Sequence, residues 1–314
     1  KETGKTILMK YPVAKQETEN TYTIPSEVTV IGTRAFESNM ELEMIKIPST
    51  VTSIGKKVFY QCTSLKTIII PSKVKTIGES AFSGCYNLEL FSGKYSSSDG
   101  HSLVKDGKLI SIAVGGVSEY TVPAGVTVIG RSSISSHDGK LLKINIPESV
   151  LEIEDSAIQS CEGVTSITLP NSLNKLGDVN FNSCHSLSRF YGKFSSADGR
   201  CLNVDGIMKA FAPAGLTEYT VPDGITKIGR YVFYRYSIKS IILPESLVDI
   251  ERNAFSLAGI EQINLPEGLE HVRYQAFFSC ENLKEIVIPS TVKVIETYAF
   301  CGCTNLSKVT VNIQ

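Results

Sequence analysis

Val51–Pro71 reads VTSIGKKVFYQCTSLKTIIIP, and most of the chain is a variation on it. Upstream, Val28–Pro48 is VTVIGTRAFESNMELEMIKIP; further on, Val292–Asn312 is VKVIETYAFCGCTNLSKVTVN. A period of roughly 23 residues falls in the range of solenoid repeats, in which each coil buries its apolar face only against its neighbours. About ten copies run nearly end to end, so the 314 residues read as one elongated domain, 1–314, rather than as two globular ones.

Comparison of the copies identifies the slots that face inward. Three residues after each strand-end proline stands an aliphatic residue such as Val51, Val74 or Leu247, and three further on Ile54, Ile77 or Ile250. The next anchor is Phe36, Phe59, Phe82, Ile134, Ile158, Phe181, Phe233, Phe255, Phe277 or Phe300. Lys66–Ile70 alternates apolar and free positions and is rich in β-branched residues, which predicts a strand ended by Pro71. One such strand per coil stacks into a parallel sheet. The Val-x-x-Ile step predicts a second, shorter extended segment, and GESAFSGC between them predicts a single helical or 3₁₀ turn. The glycine of Ile-Gly is replaced by Glu154, Glu251, Arg273 and Glu296 in other copies, so that slot does not demand positive φ.

The rhythm breaks twice, in matching ways. Phe91–Gly130 aligns without gaps on Phe190–Gly229, and in each an Asp-Gly pair, Asp106-Gly107 or Asp205-Gly206, separates short apolar runs. This is a hairpin signal; segments 91–119 and 190–218 are expected to be homologous β-hairpins projecting from the coil edge. Residues 1–20 resemble the second half of such an insert, with Tyr22 and Pro25 matching Tyr219 and Pro222. The chain is therefore expected to begin inside a unit and to be part of a longer protein.

Thirty-one basic and 32 acidic residues leave a net charge of -1, which gives nucleic acid or anionic lipid no purchase. No apolar run approaches the ~18–20 residues of a membrane span, and the opening KETGKTILMK lacks the layout of a signal peptide. Cys62, Cys85, Cys161, Cys184, Cys280 and Cys303 share one slot, three residues after the aromatic or Ile anchor, which other copies fill with Asn39, His137, Tyr236 and Ala258. Exchange of that kind marks cysteine as a small buried side chain, reduced rather than bridged.

The pattern strand-Pro, Val-x-x-Ile-Gly-x-x-Ala-Phe-x-x-Cys-x-x-Leu resembles the bacterial leucine-rich repeat class typified by BspA surface proteins and Treponema leucine-rich repeat proteins. That resemblance covers nearly the whole chain and implies a leucine-rich-repeat solenoid with a concave parallel β-sheet. It also implies a place at the bacterial cell surface or outside the cell, and adhesion to a protein or glycan partner. Pro71 after the strand and the lack of an apparent asparagine ladder depart from the commoner leucine-rich repeat pattern.

No residue set supports catalysis or metal binding. Cys184-His185 are adjacent in sequence rather than convergent, and a dyad is a matter of geometry. Cys301-Gly-Cys303 lacks a second pair at zinc spacing, and the Asp-Gly pairs lack a calcium loop. The four histidines, His101, His137, His185 and His271, are scattered. The chain is read as a non-enzyme without cofactor. Candidate partner-binding residues are the outward strand positions of the expected concave face: Met44, Lys46, Thr67, Ile69, Lys143, Asn145, Ser166, Thr168, Ser240, Ile242, Gln262, Asn264, Glu285 and Val287. Tyr95, Phe194 and Phe211 offer alternative aromatic anchors on the inserts. A purely structural spacer, presenting another domain of a longer surface protein, is the other expectation.

Overall fold

In the strand Thr67–Ile70, Ile68 and Ile70 are 1% exposed while Ile69 is 63% exposed. The period-two pattern thus decides which side of each strand enters the core. The computed structural model describes residues 6–11 and 20–312; residues 1–5 and 12–19 of the segment expected to be a partial insert lie outside them. Among the described residues the chain makes a parallel β-solenoid of about 13 turns, with no helix. It divides into two compact units, the first comprising 1–164 and 170–177, the second 165–169 and 178–314.

In the first unit, one sheet joins Thr21–Thr23, Met44–Lys46, Thr67–Ile70 and Leu90–Gly93 in parallel. A second, of the short strands Ile7–Leu8, Val30–Ile31, Ser53–Ile54 and Thr76–Ile77, lines the other side of the same coils. Glu119–Thr121 with Lys143–Asn145 forms another piece of the long-strand layer. In the second unit the long strands are Ser166–Leu169 with Arg189–Gly192, then Glu218–Thr220, Ser240–Ile242 and Gln262–Asn264, then Glu285–Ile288 with Lys308–Val311. Between the two layers runs a file of rings. Phe233, Phe255, Phe277 and Phe300 stack at 4.8, 4.9 and 5.2 Å, and Phe36, Phe59 and Phe82 stack at 5.3 Å each.

The segment expected to be helical instead forms consecutive tight turns. Arg34 and Ser38, Lys57 and Gln61, Tyr231 and Arg235, and Asn253 and Leu257 all have φ between 54° and 61°. A left-handed residue at every fourth position breaks any helix. The amides alternate in purpose. Those of Ala35 and Glu37 close turns on Gly32 O and Arg34 O, while those of Arg34, Phe36 and Ser38 donate to Lys56 O, Val58 O and Tyr60 O of the next coil. Where the anchor is Ile134 or Ile158 rather than Phe, the segment extends into the strands Ile134–Ser136 and Ile158–Cys161, as β-branching favours.

The inserts also differ from expectation. Ser102–Lys105 and Lys108–Ile112 do form an antiparallel hairpin about Asp106-Gly107, both with positive φ (52° and 75°). Its second strand, however, pairs in parallel with Val128–Ile129, and Ile207–Phe211 pairs likewise with Lys227–Ile228. Each hairpin is a coil of the stack rather than a projection, and this is why there are more turns than sequence copies.

Candidate functional site

Within each unit, the strand positions picked from the sequence lie on the outward side of the long strands. Met44 and Lys46 flank buried Ile45, Gln262 and Asn264 flank Ile263, and Glu285 and Val287 flank Ile286. Thr67 is half-buried, and so are Asn145 and Ser240; Ser166 and Thr168 are exposed. Register sets neighbours: Met44 pairs with Thr67 and Thr67 with Leu90, while Ile69 pairs with Ser92. Met44, Ile69 and Leu90, at 43, 63 and 43% exposure, thus make one apolar group on adjacent strands, with Lys46 at its edge. Leu90 was not singled out in the sequence because the insert begins there, although Leu88 marks the slot two residues before it.

On the other long strands of each unit, charges pair with one another. Glu119 accepts from Lys143 Nζ at 2.8 Å and from Asn145 Nδ2 at 2.7 Å, and the Lys143 hydrogen bond chiefly holds its carboxyl below the ordinary range. Lys308 Nζ donates to Glu285 at 3.0 Å. In the second unit Ser240 faces Gln262 and Ile242 faces Asn264; Ile242 is 61% exposed. Thr168 pairs with Tyr191, over whose ring Arg189 lies at 5.4 Å.

Of the insert aromatics, Tyr95 is half-buried; Lys94 lies 4.9 Å from its ring centre and its hydroxyl donates to Val74 O. Phe194, its counterpart, is also half-buried, with Lys193 at 5.5 Å. Phe211 is not an anchor. At 1% exposure it packs on Phe233, Tyr219 and Tyr236, because the strand that carries it is a coil of the core rather than a protruding arm.

All eight cysteines are unbridged. Those of the shared slot are buried except half-buried Cys303. Cys62, Cys85, Cys280 and Cys303 donate their thiols to the carbonyls of Phe36, Phe59, Phe255 and Phe277, one coil back, at 3.0–3.1 Å. Burial pushes the Cys62 thiol up to about 12. In each unit an asparagine also reaches one coil back, unseen in the sequence: Asn87 and Asn305 donate to Thr63 O and Glu281 O at 2.8 and 2.7 Å. Cys184 is buried and His185, exposed, meets the Tyr236 ring edge-on. Among the described residues no three His, Cys, Asp or Glu side chains are grouped to hold a metal ion, and no helix is long and apolar enough to cross a membrane.

Comparison with known proteins places this geometry. A crystal structure of a leucine-rich cell surface protein from Faecalibacterium prausnitzii is 25% identical, with a TM-score of 0.61, over 99% of this chain and 91% of that one. A leucine-rich repeat protein from Eubacterium ventriosum is 21% identical over 90% of this chain and 76% of its own, with a TM-score of 0.54. The pneumococcal vaccine antigen PcpA is 20% identical over 93% of this chain and 62% of its own, with a TM-score of 0.51. Both of the latter show the shared fold. No curated protein matches by sequence. The family model described as "BspA type Leucine rich repeat region (6 copies)" matches residues 14–99, 114–197 and 208–314. Of the stretches between the matches, 100–113 covers the first hairpin and 198–207 the first strand and turn of the second; with most of the chain matched, the protein belongs to the BspA-type leucine-rich repeat family.

Proposed function

We propose that this is a non-enzymatic protein of the cell surface or extracellular space that binds a protein or glycan through the outward side of its long-strand sheet. The observation that carries the reading is the apolar group Met44, Ile69 and Leu90 beside Lys46, since large exposed aliphatics gathered on one rigid face favour a partner over water. The similarity to a leucine-rich cell surface protein supports the location. Repeat solenoids offer extended surfaces of this kind to partners, although function attaches to sites rather than folds.

A panel of extracellular matrix proteins, serum proteins and glycans tests the proposal. Met44→Ser with Ile69→Ser, or Lys46→Glu, is expected to weaken the bound partner about tenfold, the cost of losing an anchor or of a like charge at an interface, with an unchanged melting temperature. Binding indifferent to all three substitutions would overturn the site. A second reading, a spacer holding another domain of a longer surface protein, is favoured by the self-paired charges of Glu119 with Lys143 and Glu285 with Lys308. It predicts no partner for this chain across the panel.

A further inference from the structure

In the first unit the short-strand sheet stops at Thr76–Ile77, and beyond that strand a cleft of about 510 Å³ opens toward the hairpin. That volume lies within the range of ligand sites. The ladder is incomplete there. In the coils before it, Thr29 O and Thr52 O accept from Thr52 N and Lys75 N, and Ile31 O and Ile54 O accept from Gly55 N and Gly78 N. Lys75 O and Ile77 O receive no such donor among the described residues. The amides of Arg34 and Lys57 donate to Lys56 O and Glu79 O, whereas that of Ser80, the same slot, has no acceptor among the described residues. Ile77 is half-buried where Ile31, Ile54, Ile129 and Ile228 are at most 1% exposed, and half-buried Ile110 lines the cleft with it.

Charge selects the occupant. Around the cleft Lys108 is paired with Glu154, and Arg131 lies between Glu79 and Asp155. Lys75 is exposed and has no anionic partner among the described residues. We propose that this cleft binds an extended peptide segment of a protein partner as an added strand. The peptide's amides would donate to Lys75 O and Ile77 O, an aliphatic side chain would cover Ile77 and Ile110, and a carboxylate would meet Lys75. Strand addition at an open sheet edge combines backbone hydrogen bonds with side-chain pockets in this way. The site lies on the short-strand side, so it goes beyond the sheet-face reading and stands or falls separately from it.

The second insert supplies the test variant. Position 110 corresponds to Lys209, whose ammonium, with Arg230, binds Asp178, the counterpart of Glu79. Ile110→Lys thus brings in a side chain that the same framework already carries. The probe is the acetylated and amidated peptide Ser-Val-Leu-Glu-Ile-Glu-Asp, the chain's own 149–155, which forms a short strand in its own coil. Titrated into the full chain and followed by amide chemical shifts, it is expected to bind saturably and to move Ser80 and Ile110. Ile110→Lys is expected to weaken it at least about tenfold, and Lys75→Glu about fivefold at low salt. If Ile110→Lys lowers the melting temperature, exposed Lys75→Glu remains the deciding variant. Lys46→Glu, on the other face, is expected to leave peptide binding intact. Binding equal in the Lys75 and Ile110 variants, shifts confined to the outer strand Val294–Ile295, displacement by free glutamate alone, or no saturation by about 1 mM would each overturn the proposal.

Discussion

At residue scale the thiols of Cys62, Cys85, Cys280 and Cys303 do two jobs: each fills a small space in the core, and each gives the Phe carbonyl one coil back a second donor. Burial raises the Cys62 thiol to about 12 and raises that of Cys85, while the unfolded thiol titrates near 8.5. A thiol raised on folding favours the folded state fully below the unfolded value and loses that contribution as pH climbs through the folded one. Stability is therefore expected to fall from about pH 9 toward pH 12, and Cys62→Ala should flatten that part of the curve; an unaltered slope in thermal melts would count against it. Iodoacetamide at pH 8 is expected to label exposed Cys301 in the native protein and Cys62, Cys85 and Cys280 only after unfolding, read by intact mass. The burial of this slot was legible in the sequence because Ala258 shares it. The donor role was not, since Ala258 has no donor to reveal it.

At the scale of the element, the strands were legible and the turns were not. Strands announce themselves through period-two burial, which survives comparison of copies. The turn conformation rests on left-handed φ at Arg34, Lys57, Ser80 and Tyr231, where no glycine or asparagine signals it. At Arg34 and Lys57, backbone hydrogen bonds to Lys56 O and Glu79 O of the next coil hold the residue in a conformation that costs L-residues about 1–2 kcal/mol. Arg34, exposed at φ 60°, separates the effects: Arg34→Gly is expected to leave stability unchanged or higher, and Arg34→Val to lower it by about 1–2 kcal/mol in urea unfolding. The insert was half legible. Asp106-Gly107 announced the turn, but only the pairing of Lys108-Leu109 with Val128-Ile129 shows that its second strand serves as a coil.

For the whole molecule, stability is a sum over contacts between successive coils. Phe255, stacked on both sides at 4.8 and 4.9 Å and fully buried, is expected to cost about 3–5 kcal/mol on truncation to Ala. Hydrogen exchange should show protection lost first in the coils of Phe233 and Phe277, and uniform loss along the chain would contradict a nearest-neighbour sum. The partner and the function of the sheet face were the least legible at this scale, because the outward residues of a repeat are the ones its periodicity leaves unconstrained. The regular spacing has a further consequence, for descent. Lys56–Glu79, Lys66–Glu43 and Lys308–Glu285 each join residues 23 apart, and the backbone bonds step from slot to slot in the same way. A whole coil is therefore a heritable module. Unequal recombination can change copy number and still leave each coil a partner, whereas a fractional loss orphans a full row of donors. Excision of 51–73, which joins Thr50 to Val74, is expected to yield a folded, shorter protein; excision of 51–61 is not, and circular dichroism with thermal melts distinguishes them.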